Sequence, residues 1–154
     1  MAWPARDDNG ATSGVGVHIG LEVVTATGAG AATPSISYTN SGGTSGKTST
    51  TVDTYVASSA IGSFYRLGEA NGDVGVQSIQ SVTLGTSMTS GSVALVAYRV
   101  LATLEISAAG VPNAVDVLTS GMPRCYDNTV PYLIFVPQTT TTTQLTGSAI
   151  FTQG

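Results

Sequence analysis

One histidine, one cysteine and nine carboxylates set the limits of what this 154-residue chain can do chemically. His18 is the only base open to a Ser–His–Asp relay. It falls on the polar face of an alternating stretch. Glu22 lies two same-face positions away, too far for a standard orienting bond, and no GxSxG elbow presents a serine. An exposed or interfacial histidine is therefore expected. The carboxylates are scattered singly apart from Asp7-Asp8. A glycosidase needs two of them held roughly 5 to 10 Å apart across a cleft, so a pair such as Glu69 and Asp73 would have to converge. Asp7-Asp8-Asn9-Gly10 has the opening of a calcium loop but lacks its alternation and its distal bidentate Glu. Cys125 has Arg124 beside it, which favours a thiolate, but a lone cysteine is more commonly a small buried hydrophobe. It cannot form an internal disulfide, and there is no Cys/His cluster for a metal. No catalytic residue, metal ligand or cofactor site is assigned from these residues.

The glycine-rich stretches lead to the same place. Residues 42–48 (GGTSGKT) resemble a phosphate-binding loop, but Ser41 stands where its first glycine belongs. The Ser-Thr-Thr-Val run that follows favours a strand over the helix such a loop needs. The glycine pairs at 14 and 16 and at 28 and 30 lack the third glycine of a dinucleotide fingerprint and the long helix after it. All three read as turns or loops.

Composition narrows the function classes further. Charged residues make up 9% of the chain, against roughly 25% in an ordinary soluble domain, while the apolar share is 42%. Thr, Ser and Gly have taken the place of the missing charge. Such a surface loses little side-chain entropy or hydration when another surface covers it, so much of the exterior is expected to serve as contact. Five Lys+Arg and a net charge of −4 cannot line a phosphate-tracking groove, and direct nucleic-acid binding is not expected. No apolar run has membrane-spanning length, and residues 1–10 lack the apolar core of a signal peptide. Assembly in a reducing cytosol is the matching expectation.

The elements that would position any site are strands. Residues 17–27 alternate cleanly, with Val17, Ile19, Leu21 and Val23 on one face. Residues 35–39 form a short strand, and residues 40–46 are a hairpin-type connection to a Thr-rich strand at 47–56. Residues 61–67 suggest another short strand, and Asn71-Gly72 is a turn. The clearest signal is at 74–100, where two β-branched runs (76–84 and 92–100) flank a small polar connection. They read as a central β-hairpin in the middle of a sheet. Residues 101–107 read as a strand or extended link, and 113–119 as a helix of at most two turns with Asn113 as N-cap. The apolar run 130–136 reads as a buried strand, the five threonines at 139–143 as an edge or loop, and 144–153 as a terminal strand. The pattern predicts an all-β fold: an antiparallel β-sandwich, jelly-roll or Greek-key like, spanning 15–154 with an extended N-terminal arm at 1–14. Ile19, Val82, Leu95 and Phe135 are expected in its core.

Four stretches together resemble structural proteins of tailed-bacteriophage heads: WPARDDNG near the N-terminus, QSIQSVTLGTSMTSGSVALVAYR at the centre, AVDVLTSGMPRCYDNTVPYLIFVP, and the closing GSAIFTQG. The chain is similar to small virion proteins of the capsid decoration, or cement, type. That resemblance implies a non-enzymatic β-sandwich bound outside an icosahedral shell, at junctions of the virion's major capsid protein. It also implies a homo-oligomer, with a trimer favoured, and nothing catalytic. Trp3 and Arg6 on the arm are expected to reach a neighbour, because a tryptophan on a free tail needs a docking place and is a preferred interface anchor. Arg99 and Arg124 are expected to bridge to carboxylates on the shell. The alternative is another virion component, of tail, neck or fibre, that binds a neighbouring protein or host glycan. Tyr55, Phe64, Tyr65 and Asn71 would be its cluster.

Overall fold

The alternation near the start of the chain forms β1 (His18–Thr25), the strand around which the core is built. Its inward side chains Ile19, Leu21 and Val23 are at most 1% exposed. β1 pairs antiparallel with β5 (Phe64–Gly68) on one side and β7 (Ser92–Tyr98) on the other. β4 (Thr50–Thr51) extends this sheet beyond β5, giving the order β4-β5-β1-β7. In the second sheet β2 (Ser35–Asn40) lies between β3 (Lys47–Thr48) and β6 (Val76–Thr83). Ile36, Tyr38 and Val76 of this sheet join Ile19, Leu21, Val23, Tyr65 and Leu67 of the first in one apolar cluster. This computed structural model describes residues 3–106, 108, 110–136 and 145–150. Among them the protein is all-β, two antiparallel sheets with a single helical turn, α1 (Val117–Ser120).

The Thr-rich run after residue 46 is shorter than its composition suggests, and the chain changes sheet at Ser49. Ser49 closes the β2 ladder by exchanging two bonds with Ile36: its N–H donates to the carbonyl and its hydroxyl accepts from the Ile36 N–H, each at 2.9 Å. Thr50 and Thr51 then pair with β5 in the other sheet.

The expected central hairpin is not formed. β6 and β7 both exist, but β6 pairs with β2 and β7 with β1. Residues 84–91 arch from one sheet to the other. A connection of that length leaves the partner open, whereas a two-residue turn would force pairing. The arch leans on residues 26–33, through Thr33 N–H to the Leu84 carbonyl and Gly28 N–H to the Ser90 carbonyl. A Cβ at Gly28 would overlap Thr89 Oγ1, and one at Gly30 would overlap the Ser87 carbonyl oxygen. Close backbone approach is thus what that glycine pair serves. Each strand also lies at the edge of its sheet instead of in the middle.

The two ends of the chain also depart from expectation. Residues 3–14 do not extend as an arm but close on their own domain. The Trp3 indole donates to the Val76 carbonyl at 2.6 Å and packs against the core. Gly14, at φ +82°, sits where a Cβ would collide with that same carbonyl group. Past β7 no strand is formed among the described residues. Residues 101–106, 130–136 and 145–150 carry no strand. The helix is one turn long, and its N-cap is Asp116, not Asn113, with the Asp116 carboxylate accepting from Leu118 and Thr119 N–H. Asn113 instead donates to the Glu105 carbonyl. The threonines at 139–143, and residues 144 and 151–153 of the terminal strand, lie outside the described residues.

Candidate functional site

Several polar groups that could do chemistry hold the fold together. Asp7 is 1% exposed, and its carboxylate accepts from the N–H groups of Asn9, Ala11, Gly14 and Val15 and from the Ser13 hydroxyl. Burial pushes its pKa up, but these donors outweigh that and hold it down at about 2. Both oxygens are occupied by donors, so the Asp7-Asp8-Asn9-Gly10 turn is an anion-capped loop and not a cation site. Among the described residues no group of three or more His, Cys, Asp or Glu could hold a metal ion.

Glu69 and Asp73 commit to different partners. Glu69 meets His18 Nδ1 at 2.9 Å, a pairing across 51 residues that strand reading could not supply. That bond, against burial, raises the His18 pKa. Asp73 accepts from the Tyr38 hydroxyl and from Asn40 Nδ2, both at 2.6 Å, with Lys47 Nζ at 3.5 Å. The Tyr38 hydroxyl in turn accepts from Ala70 N–H, and burial together with Asp73 pushes its pKa up to about 12. This cluster ties the Asn71-Gly72 turn to β2. Residues 42–46 form the turn between β2 and β3, capped by Asn40 Oδ1 accepting from Thr44 N–H, with no helix after it. Cys125 is half-buried and unpaired.

The four residues expected at a partner lie in three places. Trp3 is half-buried against the core. Arg6 is half-exposed and makes no ion pair among the described residues. Arg99 and Arg124 come together at Tyr126, with guanidinium carbons 5.1 and 5.4 Å from its ring centre. Arg99 also donates to Asp8 at 3.0 Å and to the Arg124 carbonyl at 2.7 Å, and its side chain is 10% exposed. It binds within the chain, joining the end of β7 to both the N-terminal loop and the C-terminal tail. Tyr126 completes the knot through its hydroxyl, which donates to the Asp7 carbonyl. No sequence signal marked Tyr126.

The feature that sequence reasoning missed is an open side of the two-sheet core. On β7, Leu95 and Ala97 stand opposite Leu21 and Ile19. On β6, Val82 and Ile79 stand opposite Ile36 and Tyr38. The β1 and β2 members of these pairs are at most 2% exposed, yet Val82 is 43% and Leu95 37% exposed. Val82 and Leu95 were expected in the core. They lie on its rim, because β6 and β7 end their sheets and, among the described residues, no further strand pairs with either. Between the two edges Trp3, Ile79, Leu95 and Ala97 line a cleft of about 360 Å³. The absence of any charged residue in β6 and β7 is the signal that could have pointed here.

A second surface lies on the outer face of the four-stranded sheet. Phe64 lies over Gly20 and meets Tyr98 edge-on at 5.4 Å and Tyr132 at 5.9 Å. The expected glycan cluster does not assemble there. Tyr55 and Tyr65 are core residues, their tilted rings 4.7 Å apart and their hydroxyls turned to Met88 and Ser59. Phe135, also expected inside, is 44% exposed on the tail. No family model, no curated protein and no solved structure matches this chain.

Proposed function

We propose that this chain is a non-enzymatic structural protein of a tailed-phage virion. It binds the outer surface of the icosahedral capsid and stabilises it where major capsid subunits meet. In this reading its jelly-roll or Greek-key sandwich is completed only in the assembly. The observation that carries the reading is the combination of an uncharged, uncovered sheet rim with a tail whose large apolar side chains are exposed. Such surfaces mark contact sites and are costly to leave in water. The resemblance of four stretches to virion structural proteins supplies the kind of partner, and the low charge suits a surface that must be covered. The mechanism is added contact area. A standard interface buries roughly 1,600 Å² in total, and many copies on one shell act through multivalency.

Electron microscopy of particles made with and without this protein tests the reading. Regular added density over the capsid faces is expected. Density confined to the tail or neck would replace it with the alternative, a tail, neck or fibre part binding a neighbouring protein or host glycan. The Phe64, Tyr98 and Tyr132 surface favours that alternative, because glycans stack on partly exposed rings. Particles that carry none of the protein would overturn both.

A further inference from the structure

We infer that residues 130–136 of one copy add as a strand to the free edge of β7 in a second copy, with their side chains closing that copy's cleft. The inference goes beyond the capsid reading and does not depend on it.

Donor and acceptor are both in the chain. The acceptor is β7, whose ladder with β1 runs without a break from His18 opposite Tyr98 to Val23 opposite Val93. Natural edges are usually blunted by charge, proline or bulges. β7 has no charged residue and no proline, that stretch has no bulge, and among the described residues no strand pairs with its outer edge. β6 is less apt, since its ladder with β2 slips twice.

The donor is VPYLIFV, apolar at both parities and as long as β7. Among the described residues, backbone groups 130–136 make no backbone hydrogen bond, the last one before them being Thr129 N–H to the Tyr126 carbonyl. Val130 and Leu133 are each 82% exposed. A strand apolar on both faces needs cover on both, and the β7 edge supplies it. The cleft of Trp3, Ile79, Leu95 and Ala97 lies on one side, and the Phe64 and Tyr98 rings lie on the other. On its own domain the run makes one ring contact, Tyr132 against Phe64, which sets it over the sheet's outer face and not along β7.

Five exposed large apolar side chains, Val130, Tyr132, Leu133, Phe135 and Val136, lie in the donor itself. At roughly 60 Å² each they offer on the order of 300 Å² for burial, and main-chain hydrogen bonds along the added strand supplement that area. A head-to-tail contact of this kind closes into a ring where the rotation between copies closes, a three-membered ring being one solution, and otherwise runs on as an open filament.

Light scattering on the eluting 154-residue chain tests this, with hydrogen exchange as a second readout. The wild type is expected at two or more times the 15.5 kDa chain mass, with every second amide of 132–136 protected. Val130→Asp with Leu133→Asp alters side chains already in water, so the fold persists by circular dichroism while the mass falls to 15.5 kDa and the protection is lost. Ile61→Asp, at a site 69% exposed and away from β7, keeps the oligomer. A wild-type monomer overturns the inference, as does a double variant that keeps wild-type mass. Protected amides in a monomer would place the segment on its own β7, and also overturn it. A monomer that still decorates shells would sink this inference alone and leave the capsid reading standing.

Discussion

Leu21 and Leu118 are the same side chain in the same chain, yet one is 1% exposed and the other 92%. Leu21 sits on β1 with Tyr65 opposite on one neighbour and Leu95 on the other, and the second sheet lies across from it. Leu118 sits on a single helical turn that buries nothing. The same contrast divides the molecule near residue 100. Before it, the alternating inward residues of β1, β2 and β5 have paired strands beside them and a second sheet across from them, while Val82 and Leu95 at the rim stay partly exposed. After it, stretches equally apolar have no strand pairing among the described residues. What separates the two regions is the supply of neighbours among the described residues, not hydrophobicity.

The largest break in that comparison should come from truncating each leucine. Leu21→Ala opens a cavity in the two-sheet core and is expected to cost about 2–5 kcal/mol in urea denaturation. Leu118→Ala should change the stability of the isolated chain by no more than about 0.5 kcal/mol. A comparable loss for both would mean that residues 117–120 are packed in solution and that the division near residue 100 is wrong.

The aspartates extend the comparison to polar groups. Asp7 and Asp116 both accept backbone N–H bonds, but Asp7 is buried and takes five donors, while Asp116 caps one exposed turn. Asp7→Asn removes the charge and one acceptor from a closed loop and should cost about 2 kcal/mol. Asp116→Asn should leave the melting temperature unchanged. Asp7 has its folded pKa held at about 2, below the usual 3.8, so its stabilisation is complete above pH 3.8 and is lost as pH falls through 2. An acid titration of the wild type should therefore show a loss of stability between those values, and Asp7→Asn should flatten it. An unchanged acid profile in the variant would remove Asp7 from its role as anchor of the N-terminal loop.

Much of the first region was legible because period-2 alternation reports which residues share a face. β1, β2, β5, β6 and β7 all stand where the sequence placed them, within a few residues. Alternation does not name a strand's partner. The run 76–84 would have read the same beside 92–100 as beside β2, and the length of the arch left both open. The arm illustrates a second limit. Trp3 needed an apolar wall with one acceptor, and the Val76 carbonyl supplies the acceptor from 73 residues away. In the tail, 130–136 has every mark of a buried strand, but burial requires a second surface that is not in the sequence pattern. The polar clusters were illegible for the same reason, since His18 with Glu69 and Tyr38 with Asp73 join residues far apart in the chain.

The smallest effect, and the finest probe of the boundary, comes from His18. Its Nδ1 faces Glu69 at 2.9 Å, and its ring lies 5.7 Å from Tyr98, which meets Phe64 and through it Tyr132 of the tail. The hydrogen bond to Glu69 raises the His18 pKa above 6.5, with burial opposing it and the charges of Glu69 and Asp8 adding to it. A folded-state pKa above the unfolded one stabilises the protein fully below pH 6.5, and that stabilisation is lost as pH rises through the folded value. Melting temperature should therefore decline slightly from pH 6 towards 8. The effect corresponds to less than about 1 kcal/mol, because the pair is partly solvated and screened by salt. His18 is the only histidine, so its titration by NMR is unambiguous. Glu69→Gln should bring the midpoint down and abolish the decline, whereas Tyr132→Ala should leave both in place if the tail contributes only a ring contact. A wild-type midpoint at or below 6.5 would mean that the Glu69 bond does not hold in solution. A midpoint that moves with Tyr132→Ala would mean that the tail, in its own copy or a neighbour's, covers this face more fully than one ring contact.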